Sequence, residues 1–178
     1  MTKQELIVQF QHNHEELRDF INALPDNQFS SAHNGKWSPG QQLSHVYLCL
    51  KPISQALASK EFIQKKFGQI SRPTMDYDTV ISLYHKTLKN GGKAPDNFVP
   101  QHINTGDKAK LVQDLTELLE TIKTQLNTYS DRELDTLVLP HPLLGNLTLN
   151  EMFYLMTQHA THHLQQTEVN LGAAFSDR

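Results

Sequence analysis

The stretch TLNEMFYLMTQHATHHLQQ, residues 148–166, decides how this 178-residue chain is read. Thr148 followed by Glu151 is a capping box, in which two side chains satisfy free amides at the start of a helix. It predicts a helix from Thr148 to about Asn170. The inward row of that helix runs Met152, Met156, His159, His163, Gln166, in steps of four and three that keep it on one face. Halfway along, imidazoles stand where a packed helix would carry leucine or isoleucine. Burying an unpartnered polar ring costs about 1–3 kcal/mol per unsatisfied group, so the row points to partners elsewhere in the chain or to a bound ion.

A partner is found in a second helix. Trp37-Ser38-Pro39-Gly40-Gln41 is a sharp start signal: Ser38 caps, Pro39 suits the first helical position, and Gln41 completes a capping box. The helix is expected to run to Leu57, kinked at Pro52 where one backbone bond is lost. At about 100° per residue, Cys49, Ile53, Ala56, Val46, Leu50 and Leu57 fill one arc with His45 at its edge, while Ser44, Lys51 and Gln55 lie opposite. His45 comes seven residues after Ser38, and His163 seven before Asn170. If the two helices run antiparallel, these histidines fall at one height, since each helix rises about 1.5 Å per residue. Three imidazoles at one level, His45, His159 and His163, would form a metal site with an open position, the arrangement of catalytic zinc.

Other residues near this row are weighed beside it. His162 would also pair with His159 at a three-residue step, but about 100° of rotation turns it toward a neighbouring helix or solvent. Gln166 continues the inward face and would hydrogen-bond a ligand ring or a bound water. Cys49, one turn beyond His45, reads as a small buried residue or as a soft fourth ligand that would close the site. His141, just ahead of the capping box, reads as a turn residue or as part of a pocket mouth. His14 is expected in the core, and His12, His33, His85 and His102 on the surface.

Two further stripes complete the architecture. Ile7, Phe10, His14, Leu17, Ile21 and Leu24 mark a first helix, closed by Pro25-Asp26-Asn27. Leu111, Leu115, Leu118, Ile122 and Leu126 mark a third, widened by Val112 and Leu119. Residues 61–106 are too many for a structureless link. With Pro73, Gly91-Gly92, Pro95, Pro100 and room for a short helix from Asp76 to Leu88, they read as a crossover that lets the second and third helices run parallel. Residues 130–147 read as a second, irregular connector. The expectation is an all-α four-helix bundle with one long crossover, a single domain over residues 1–178.

Composition narrows the function. Sixteen Lys+Arg against nineteen Asp+Glu give a net charge of −3, without the basic footprint of a nucleic-acid-binding protein. Hydrophobic residues make up 38%, and no run approaches the roughly 18 apolar residues of a spanning helix. The start lacks an apolar signal segment, and one cysteine allows no intrachain disulfide. A cytoplasmic protein with no nucleic-acid or membrane partner is expected. Ten histidines are the unusual feature. There is no P-loop, G-x-G-x-x-G, nucleophile elbow or His-Glu-x-x-His motif to suggest those chemistries.

Taken together, Trp37-Ser38-Pro39 with His45, then His141-Pro142-Leu143-Leu144-Gly145-Asn146-Leu147-Thr148 with Glu151, then His159-x-x-His162-His163-x-x-Gln166 resemble the DinB-like (damage-inducible) superfamily of bacterial four-helix proteins. These are also called YfiT-like metal-dependent hydrolases. The resemblance spans essentially the whole chain. It implies a bundle whose first and fourth helices oppose the middle two, with a divalent metal at the pole of a cavity held by His45, His159 and His163. Relatives include S-transferases using bacillithiol, mycothiol or glutathione, and a mycothiol-dependent maleylpyruvate isomerase. The leading expectation is therefore a metal-dependent thiol S-transferase or hydrolase acting on a small molecule, with zinc or nickel as cofactor and a low-molecular-weight thiol as candidate partner. The competing expectation is a non-catalytic stress-response or binding module with structural or adventitious metal. A homodimer through an outer helix face would suit either.

Overall fold

The computed structural model describes residues 1–176, with side chains through Gly172; the last two residues of the expected domain lie outside the described residues. Four long helices carry the core: α1 (Lys3–Ala23), α3 (Pro39–Leu57), α6 (Lys108–Asn127) and α8 (Leu149–Ser176). Each of the first two opens on the predicted type of signal. Thr2 and Glu5 box the start of α1, and Ser38 and Gln41 that of α3. The predicted crossover helix is α5 (Tyr77–Lys89), capped by Asp76.

Side-chain bridges fix the helix directions. Near the ends of α3 and α6, Ser54 meets Gln125, so those two helices are parallel, as the long crossover requires. Lys3 at the start of α1 reaches the carbonyl of Tyr129 beyond the end of α6, and Lys108 at the start of α6 reaches that of Leu24. Hence α1 and α6 are antiparallel. Phe10 packs on Phe153, and Asn13 bonds Thr157 and Thr161, which sets α1 parallel to α8. The outer pair, α1 and α8, thus opposes the inner pair, α3 and α6. The core between them is aliphatic and aromatic, with Phe10, Leu17, Ile21, Leu43, Leu50, Leu115, Ile122 and Phe153 all fully buried.

Several expectations are corrected. The 130–147 connector is ordered: α7 (Asp131–Thr136) starts on a Ser130–Glu133 capping box, and strands β1 (Val138–His141) and β2 (Gly145–Thr148) pair as an antiparallel hairpin. Gly145, at φ +72°, takes the left-handed turn that reverses the chain. Two short helices, α2 (Asp26–Phe29) and α4 (Lys60–Lys66), also lie outside the four stripes. On α2, Phe29 is fully buried against Gly40, where a methyl group would sit 2.8 Å from its ring. α8 runs past Asn170 to Ser176, whereas α3 runs through Pro52 to Leu57 as expected. Leu119 rather than Leu118 is at the centre of α6's buried face, and Ser44 is buried rather than exposed.

Glu151 has a second role besides capping α8. Fully buried, it accepts two bonds from Arg72 at 2.5 and 2.7 Å, one from the Met75 amide at 2.7 Å, and one from Thr148 at 2.9 Å. These bonds hold its carboxyl below the usual range even though burial alone would raise it. One carboxylate thereby pins the crossover to the start of α8, where the histidine row begins. No helix among the described residues is long and apolar enough to cross a membrane.

Candidate metal centre

Antiparallel packing of α3 on α8 brings His45 opposite His159 and His163. His159 Nε2 lies 3.2 Å from His45 Nε2 and 3.0 Å from His163 Nε2. All three rings are buried. Their outer nitrogens are treated differently. His45 Nδ1 donates to the carbonyl of Phe98 at 2.7 Å, and His163 Nδ1 donates to Gln42 Oε1 at 2.5 Å. A carbonyl can only accept, so the first bond fixes the proton on Nδ1 of His45. Gln42 oriented with its oxygen inward does the same for His163. Both rings therefore present bare Nε2 lone pairs beside His159 Nε2, the tautomer that ligates metal. His159 Nδ1 meets no hydrogen-bonding partner among the described residues.

His159 stands at ion-sharing distance from each of the other two rings. Two imidazoles bound tetrahedrally at about 2.0–2.1 Å place their nitrogens roughly 3.3 Å apart, near the observed 3.0 and 3.2 Å. Without an ion, the His159 proton can satisfy only one of its two neighbours. Burial pushes the pKa of His159 and His163 well below the ordinary value, and neighbouring imidazoles add to the effect. Burial also lowers His45, partly offset by its bond to Phe98. The rings are therefore neutral at physiological pH.

Cys49 lies on the same wall. Its Sγ and one nitrogen each of His45 and His159 lie within 4.8 Å of one another, so this buried group could hold a metal. Sγ is 3.6 Å from His45 Nε2 and 3.9 Å from its Nδ1. Near-equal distances put the sulfur beside the ring rather than out along the Nε2 lone pair. Burial pushes the thiol up to about 12.

A cavity of about 360 Å³ opens from the imidazoles between α3, α8, α5 and the hairpin. Trp37 forms part of its wall at the histidine end, with its ring 4.9 Å from that of His45 and 6.3 Å from that of His163. His162 faces the neighbouring helix, edge-on to Tyr84 of α5, and lines the cavity. His141 fills both roles considered for it: its Nδ1 accepts from the Leu143 and Leu144 amides, and its ring lines the cavity, where burial pushes it down to about 4. Gln166 lines a second, more open hollow together with His163, Gln42 and Trp37, and Gln42 makes the bond to the His163 ring.

Gln42 and the Phe98 carbonyl are the functional groups that sequence reasoning missed. Gln42 could have been found, because it precedes His45 by three residues and so shares its face. The carbonyl of Phe98, in a 3-10 turn of the crossover (Asp96–Phe98), leaves no signal in side-chain pattern. His14 is buried as expected, its Nδ1 donating to the Phe10 carbonyl at 2.7 Å while Nε2 has no partner among the described residues. His12, His33, His85 and His102 are exposed.

A bundle of this topology with imidazoles at the pole of a cavity belongs to a recognised class of helical proteins. The DinB superfamily model matches residues 9–167, and the chain belongs to that superfamily. No curated protein matches the chain.

Proposed function

We propose that the protein is a metal-dependent enzyme in which His45, His159 and His163 hold one divalent ion, zinc or nickel. The observation that supports this reading is that His159 Nε2 lies within 3.2 Å of the Nε2 atoms of both His45 and His163, two rings whose protons are held on the opposite nitrogen. Such an ion would supply positive charge that stabilises a bound thiolate or hydroxide. The chain's own residues orient and exclude. Phe98 and Gln42 aim two rings, Trp37 covers the site, and the apolar cavity keeps water from the reacting atoms.

No Asp or Glu lines the cavity among the described residues. Water would need a general base to lose its proton, and burial makes the wall imidazoles His141 and His162 weak ones, whereas a thiol needs less help. This favours thiol S-transfer over hydrolysis. Cys49 flanks the open position as a wall. The alternative set of His45, Cys49 and His159 is favoured by the proximity of the sulfur, and the variants separate the two.

The test is elemental analysis of protein purified without added metal, with His45→Ala, His163→Ala and Cys49→Ser alongside. The expected result is about one ion per chain, lost in both histidine variants with the helical signal intact, and kept in Cys49→Ser. Metal lost in Cys49→Ser but kept in His163→Ala would select the alternative set. No metal in the parent would overturn the enzyme reading. Consumption of bacillithiol, mycothiol or glutathione with monochlorobimane, above a metal-free control, would then distinguish transferase from hydrolase.

A further inference from the structure

The cavity has a direction. Along α3 it is lined from His45 to Ala56, and along α8 from His163 back to Met152. Each span is twelve residues, eleven steps or about 16 Å of helix. Antiparallel packing lays the two spans side by side with the histidines at one end. The far end is Ala56, Phe67, Leu139 and Met152, and no Asp, Glu, Lys or Arg lines any part of the cavity among the described residues. A charge placed there would be desolvated without a partner, at a cost of several kcal/mol. Met152 and Met156 supply pliable walls that adapt to the shape of an occupant.

We infer that the cavity binds an uncharged, apolar molecule of roughly ten to fifteen non-hydrogen atoms, lying lengthwise with its tail at Ala56. This deepens the enzyme reading by naming the class of its small-molecule substrate. It also places any charged peptide-like or sugar-like thiol outside the long arm of the cavity.

Trp37, the only tryptophan of the chain, lines the cavity, so its fluorescence reports occupancy. The probes are 1-butanol through 1-dodecanol, with decanedioate, charged at both ends, as the comparator. They are titrated into metal-loaded and chelator-treated protein. Affinity is expected to rise three- to fourfold per methylene, and to stop rising near ten carbons, when the chain fills the available length. Decanedioate is expected to bind at least tenfold more weakly than 1-decanol.

Ala56→Phe should shorten the limiting chain by two carbons or more and leave 1-butanol unaffected. Leu143→Glu, at a half-buried position of the hairpin, should weaken every alcohol at least tenfold and keeps the test decisive if Ala56→Phe does not fold. Absence of saturable quenching, equal binding of decanedioate, or an unmoved limit in folded Ala56→Phe would overturn the inference. Metal content separates the two readings. Alcohols that bind normally to protein unable to hold metal would leave the cavity assignment standing while the metal reading fails.

Discussion

Replacing Gln42 by leucine removes one hydrogen-bond acceptor and little volume, and its effect on metal affinity can be worked from the geometry. Gln42 is 4% exposed and accepts the Nδ1 proton of His163 at 2.5 Å. In Gln42→Leu that proton has no acceptor. The ring can escape by moving it to Nε2, which lies 3.0 Å from His159 Nε2 and can donate there. That donation needs the His159 proton on Nδ1, which has no partner among the described residues, so a buried N–H is stranded and the metal-free protein loses about 1–3 kcal/mol. Metal binding must return the proton to Nδ1, where leucine neither accepts it nor orients the ring, and loss of such a support to a ligating imidazole lowers affinity about 10- to 100-fold. Competition with a chromophoric chelator measures the affinity, and urea unfolding of the chelated protein measures the stability. Affinity within twofold of the parent would refute the reasoning.

Further outcomes follow from other buried groups. Burial holds His14 at about 4 against an ordinary 6.5, so the unfolded chain takes the proton first as pH falls. Its contribution is intact above about 6.5 and is lost progressively down to about 4. Chelated protein should lose roughly 2 kcal/mol between pH 7 and pH 5 through this residue, seen as a shallower pH slope of urea-unfolding stability in His14→Leu; equal slopes would contradict it. Glu151→Ala strands Arg72 and two amides and should cost about 3–5 kcal/mol, measured by urea unfolding. Cys49→Ser should lower metal affinity less than tenfold, by chelator competition, against complete loss in His159→Ala.

The parts of the fold that follow a helical period were readable before any coordinates. The stripes of α1, α3, α6 and α8 repeat over several turns, and the capping signals at Ser38 and Thr148 mark where two of them start. The parallel run of α3 and α6 was legible because residues 61–106 are too long for a tight connection. The hairpin was not. Its strands are four residues each, interrupted by Pro140, too short for alternation to register, and its stability comes from packing on α8. The α7 capping box at Ser130 and Glu133 was present but headed too short a helix for a stripe. Within the site, the imidazoles stood out because they break an apolar row. Their supports did not, since the Phe98 carbonyl belongs to the backbone and Gln42 looks like any polar residue in a first turn. Gln166 was the natural choice by spacing on α8, yet the partner came from across the bundle.

The central claim is that three imidazoles grip one ion. X-ray absorption fine structure of the protein loaded with a single equivalent of zinc tests it most directly. The account predicts a shell of light scatterers at about 2.0–2.1 Å carrying the outer-ring signature of three imidazoles, with no sulfur at about 2.3 Å. A sulfur contribution, or fewer than three imidazoles, would contradict it.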